Sequence, residues 1–165
     1  MSFHGFSLDV LISVGFRSLV AVIIGCLIGS ERARHGRAAG MRTHIIVCLG
    51  AALTSMISLY VSDVLGNGGD VLRISAQVIS GIGFLGAGTI LHEGLTIKGL
   101  TTAASLWIVS AIGLAVGSGM YLLSTVATML TMLTLVTFRT WEKRFAGTRS
   151  ERRFIRVVTR NTPGI

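Results

Sequence analysis

The sequence predicts an all-α integral membrane protein with five transmembrane helices, and three observations carry that prediction. Of 165 residues, 51% are hydrophobic and only 13% are charged, against about 25% charged in an ordinary soluble domain. The mean hydropathy is +0.73. The apolar residues gather into five blocks of roughly 18 to 22 residues, and about 20 helical residues cross ~30 Å of hydrocarbon. A soluble helical bundle would need polar faces repeating every 3.6 residues, and these blocks hold almost no charges with which to build them. The single proline, Pro163, lies outside all five.

The first span covers about 8–29 and is interrupted only by Arg17. Arg17 stands about nine residues, or roughly 14 Å of helix rise, from the start of that span. A charge at such depth is costly and faces a bundle interior or water, unless it snorkels to the surface. No acid lies at matching depth in any span. Its partner is therefore expected to be a polar group such as Gln77 or Ser110, an Asp from the rim, or a bound anion. "IIGC", ending at Cys26, looks like a lipoprotein cleavage box, but residues 1–7 lack the basic region such a signal needs. Cys26 and Cys48 both fall inside apolar helices, where a thiol behaves as a small hydrophobe and a structural disulfide is not expected.

The loop "GSERARHGRAAGMRTH" joins the first span to the second, about 43–62. Glu31 ends one helix and Arg42 begins the next, so the two are expected to pair and close the hairpin, the other reading being a solvated basic loop. His44 and Cys48 are spaced i, i+4, but two ligands without a third make no zinc site. No metal, cofactor or catalytic residue is expected. Neither a Ser/His/Asp arrangement nor paired carboxylates appear at matching depth, so enzyme chemistry has no seat.

The third span, about 74–91, contains "GIGFLGAG". Its literal G-x-G-x-x-G would suit a dinucleotide fold only after a strand and with an acid about 20 positions on. Here the segment is one continuous span, and the following "GLTTAAS" has no acid. Packing is the alternative. On a helical wheel with Gly81 at 0°, Gly88 falls at about 340°, Gly83 at about 200° and Gly86 at about 140°. Glycines on two faces predict a central third helix with close neighbours on both sides. Gly25/Gly29 and Gly113/Gly117 are further G-x-x-x-G pairs. Arg73, Gln77 and Ser80 fall between about 260° and 320°, a polar stripe beside Gly81 and Gly88. It reads either as a polar cavity or ion path, or as an interhelical hydrogen bond that sets register.

The fourth and fifth spans cover about 100–117 and 121–138. Residues 1–138 thus form the membrane domain, and 139–165 a short basic tail. The formal net charge of +8 is unevenly placed. With the N-terminus outside, the inner segments hold thirteen Lys/Arg and the outer ones only Arg73. That asymmetry predicts N-out, C-in. Contact with anionic lipid then accounts for the basic charge, and no nucleic-acid partner is expected.

Three stretches carry a family resemblance: "GSERARHGRAAGMRTHIIVCLGAAL", "RISAQVISGIGFLGAGTI" and "IKGLTTAASLWIVSAIGLAVGSG". In order and spacing they resemble the signature blocks of the MgtC/SapB family of bacterial inner-membrane proteins, and Arg17 precedes Glu31 by fourteen positions as in that family. The resemblance covers about 8–138. It implies a multi-pass inner-membrane protein, N-terminus periplasmic and C-terminus cytoplasmic, with Glu31, Arg42, Arg73, Gln77 and the third-helix glycines as family-defining positions. Family members are associated with low magnesium, acid stress and intracellular survival, and one is described as a virulence factor that restrains the membrane ATP synthase. Magnesium transport by the family was long suspected. The chain departs from the longer members after the basic linker, where "FIRVVTR" alternates like one strand, too little to fold alone. The shorter SapB-like branch, lacking the soluble C-terminal domain, is the closer comparison. Two classes of function follow: a regulator of other membrane complexes, with self-association as a dimer, or a small ion transporter. Arg17, Arg73 and Gln77 suit an anion better than Mg²⁺, whose sites use carboxylates and phosphates.

Overall fold

The computed structural model describes residues 8–65, 70–94 and 96–146. Five helices follow one another: α1 Leu8–Arg34, α2 Met41–Leu65, α3 Val71–Gly88, α4 Leu100–Gly117 and α5 Tyr121–Ala146. Four hold apolar stretches long enough to cross a membrane, while α3 is a shorter apolar helix. Helices α1, α2 and α5 run past their apolar blocks, because backbone hydrogen bonding continues into polar sequence. Helix α3 starts three residues before its predicted block. There Asp70 caps it, its carboxylate accepting from Leu72 N at 3.2 Å, which satisfies one of the free N–H groups of the first turn. The rest of the basic tail, including "FIRVVTR", lies outside the described residues.

Between α3 and α4 the described residues are not helical. β1 (Leu91–Glu93) and β2 (Thr96–Lys98) pair antiparallel, His92 opposite Ile97. Gly99 then turns into α4 at φ +95°, and a Cβ there would collide with the Thr89 carbonyl. The all-α expectation therefore gains a two-stranded ribbon.

The core lies among α1, α2 and α4. Ala21, Ile24 and Ile28 meet Cys48, Ala52 and Met56, with Val109, Ile112 and Val116 closing the third side. Glycine sets these helices close. A Cβ on Gly25 would stand 2.7 Å from the Ile45 Cα, and one on Gly29 2.6 Å from the Met41 Cα. On α4, a Cβ at Gly113 would strike the Cys48 carbonyl and one at Gly117 the Ala52 carbonyl. The two G-x-x-x-G pairs are thus the sites of backbone approach.

The expectation of a central third helix is corrected. Helix α4 packs on all four other helices, whereas α3 lies against α2 and α4 on one flank. Added Cβ atoms at Gly81, Gly83 and Gly88 would meet nothing within 4 Å, and only Gly86 touches a neighbour, Ala103 at 3.5 Å. Glycine allows close approach without revealing whether a partner makes it.

Candidate functional site

Cross-bundle contacts fix which residues share a level. At one end, Arg17 of α1 meets Gly117 of α4, the Phe16 ring stands edge-on to Tyr121 of α5 at 5.5 Å, and Ser55 of α2 bonds Ser118 at 2.7 Å. At the other end, Arg32 of α1 meets Thr102 and His44 of α2 meets Ser105. Polar groups therefore gather at two levels along an apolar bundle.

At the first level, Arg17 Nη1 donates to the Gly117 carbonyl at 2.7 Å. That carbonyl belongs to the last turn of α4, where unpaired acceptors and the negative end of the helix dipole collect. The guanidinium is thus held by a helix C-terminus, with no bond to Gln77, Ser110 or a rim carboxylate. Its Nε is buried and has no hydrogen-bond partner in the protein. Ser110, fully buried on α4, likewise has no partner for its Oγ. Beyond this level α1 continues for about nine residues, roughly 14 Å. It runs there beside the end of α2 and leaves an open cleft of about 970 Å³. Arg17, Asp9, Asp63, Ser13 and Tyr60 line it among apolar side chains.

The second level was not expected as a site. Arg32, counted in the sequence only as a topology charge, is 5% exposed, and His44 is fully buried. Arg32 Nη2 donates to Thr102 Oγ1 at 3.2 Å. His44 places Nδ1 2.8 Å from the Gly40 carbonyl and Nε2 3.1 Å from Ser105 Oγ. Both ring nitrogens are engaged, so the i, i+4 spacing to Cys48 serves packing. The signal available in sequence was the G-x-x-x-G pair Gly25 and Gly29, which brings the α1 backbone close to α2 around His44.

Glu31 does not close the hairpin with Arg42. Its carboxylate lies 2.9 Å from His35 Nδ1, one turn on, and Arg42 is exposed. Nor does α3 turn its polar stripe inward. Its covered sector centres on the buried Ile82 and Gly86. Arg73, Gln77 and Ser80 are exposed on the open side together with Gly81, Gly83, Gly88 and Phe84, the last 84% exposed.

The sequence profile of the MgtC family matches residues 19–144. "Protein MgtC" of Salmonella typhimurium strain LT2 is 39% identical over 148 residues, covering 87% of this chain and 62% of the relative. The protein named "Putative magnesium transporter YhiD" of Escherichia coli K12 is 48% identical over 111 residues, 65% of this chain and 52% of the relative. "Uncharacterized protein slr0014" of Synechocystis is 45% identical over 105 residues, 64% and 43% respectively. The match thus spans between 43% and 62% of the length of these relatives. No solved structure matches the chain significantly.

Proposed function

On the premise that the chain belongs to the MgtC family and is a multi-pass membrane protein, we propose that it regulates other membrane complexes through helix contacts during adaptation to ionic stress. Low magnesium, acid and intracellular survival are the conditions the family resemblance implies, and the bacterial inner membrane is its place. The observation that carries this reading is the open side of α3. Gln77 stands there near the middle of an apolar helix and is exposed. An unpaired amide in hydrocarbon costs several kcal/mol. Gly81 and Gly88 on the same face leave room for another backbone. Such a face calls for a partner helix that answers the amide, from a second copy or from a larger complex such as the ATP synthase.

A photo-reactive residue in place of Phe84 tests this in native membranes. Adducts to a second copy or to another membrane protein are expected, and adducts to lipid alone overturn the reading.

A second reading, an ion transporter for an anion or Mg²⁺, is favoured by the polar lining of the Arg17 cleft and by the name of the E. coli relative. Liposomes holding the purified protein separate the two. Flux of Mg²⁺, protons or phosphate above that of empty vesicles supports transport, and its absence leaves regulation.

A further inference from the structure

The groove between α1 and α2 is filled along most of its length and open at one end. Helix α4 fills it with Val109, Ile112 and Val116, and stops at Gly117. Arg17 bonds that last turn, and α1 continues from there to Asp9, about eight residues or roughly 12 Å further. Ser55 of α2 meets Ser118 beside the same turn. Asp63, about eight residues beyond Ser55, therefore reaches the height of Asp9. The cleft of about 970 Å³ occupies this stretch, and its lining residues all come from α1 and α2.

The stretch lies within the membrane. The apolar run of α1 over 8–29 is about 33 Å long, the thickness of one hydrocarbon core. Asp9 thus stands at the edge of that core and Arg17 well inside it. On the opposite side of the same stretch Leu11, Ile12 and Phe16 are exposed, as residues that face lipid are. The deep walls of the cleft are Val14, Leu53, Met56 and Ile57, which give water no hydrogen-bond partner. Its polar groups descend in order. The carboxylates of Asp9 and Asp63 stand at the rim, and Ser13 lies one turn below Asp9. Arg17, the one cation among the lining residues, is at the foot, with Nη1 on the Gly117 carbonyl and Nε buried. The rim is therefore acidic, the middle hydroxylic and the deep walls apolar.

We propose that this cleft binds one membrane phospholipid with an ammonium headgroup, phosphatidylethanolamine. The ammonium lies between Asp9 and Asp63, an ester carbonyl accepts from the Ser13 hydroxyl, and an acyl chain covers Val14, Leu53 and Ile57 where α4 has ended. The cleft falls in the range of about 300–1,000 Å³ typical of ligand sites with apolar walls and a few placed polar groups. Charge selects the headgroup: phosphatidylglycerol would bring a phosphate to two carboxylates with no cation between them. The site needs neither the open face of α3 nor ion flux, so it goes beyond both functions proposed above.

Native mass spectrometry of the protein released from nanodiscs of equal phosphatidylethanolamine and phosphatidylglycerol tests it. One retained phosphatidylethanolamine is expected, preferred about fivefold, as one exposed ion pair provides. The double variant Asp9→Asn, Asp63→Asn should keep a lipid and lose the preference. Val14→Trp, which fills the deep wall, should lose the lipid. Equal retention of the two lipids by the wild type overturns the proposal, and so does undiminished retention in Val14→Trp. Should that variant fail to fold, Ser13→Cys decides, with Cys26 and Cys48 replaced by Ala. A small water-soluble thiol reagent should label it about fivefold more slowly in phosphatidylethanolamine than in phosphatidylglycerol nanodiscs, matching the preference. Equally fast labelling in both means a water-filled cleft and overturns the proposal. Equally slow labelling, with lipid-free dimers by mass, assigns the cleft to a second copy and overturns it as well.

Discussion

Arg17 shows how a single residue changes meaning once its neighbours are known. Its sequence depth suggested a polar interior shared with Gln77. In the fold it caps α4 through the Gly117 carbonyl, and a bond from a charged donor contributes about 1.5–3 kcal/mol. Arg17→Leu should therefore insert into the membrane as well as wild type, since it removes an insertion cost of about 2.5–3.5 kcal/mol. Its tertiary stability should fall by about 1.5 kcal/mol or more, read as earlier thermal unfolding in nanodiscs. Arg17→Lys should recover part of the loss. Unchanged unfolding of the Leu variant would remove the capping role.

Glycines divide at the scale of the element. Gly25 and Gly29 of α1 and Gly113 and Gly117 of α4 are pressed against backbone atoms of α2, which cannot swing aside, whereas three of the four on α3 face open space. Gly117→Ala should destabilise by about 1–3 kcal/mol or more, the cost of overpacking. Gly83→Ala should leave the isolated chain unharmed or up to about 1 kcal/mol more stable, because alanine is the better helix former. Comparing the two by thermal unfolding checks the division, and equal losses would refute it. Gly81→Leu takes the argument further: it should fold as a single chain yet lose the adducts formed from position 84. Gly86→Leu, facing Ala103, should instead disturb the α3–α4 contact itself. Asp70→Ala should fray the start of α3, costing about 1 kcal/mol, visible as faster amide exchange there.

For the whole molecule, the charge asymmetry makes one prediction. Asp63→Cys, placed at the far end of α2, should react with a membrane-impermeant thiol reagent on intact inner-membrane spheroplasts. Arg34→Cys should react only after the membrane is opened. The reverse pattern would invert the proposed orientation. The same preparation, weighed in native-like lipid, tests self-association: dimers are expected, and a strict monomer would leave α3 to a different protein.

Helix number, membrane character and family were legible in the sequence, because apolar length is a local property and bilayer thickness supplies the ruler. The close approaches at Gly25, Gly29, Gly113 and Gly117 were legible as spacing. What spacing alone did not reveal was which glycine face has a neighbour, since glycine records permission and not contact. Only the packed structure decided that α4 is the hub, that Glu31 turns to His35, and that Arg17 ends on a backbone carbonyl. Carbonyl acceptors are present at every residue, so sequence does not mark the one that a helix end leaves free. The burial of Arg32 and His44 was hidden for the same physical reason. Both sit in a polar loop-flanking stretch that reads as solvated, and it is the approach of α4, 60 residues or more along the chain, that removes them from water.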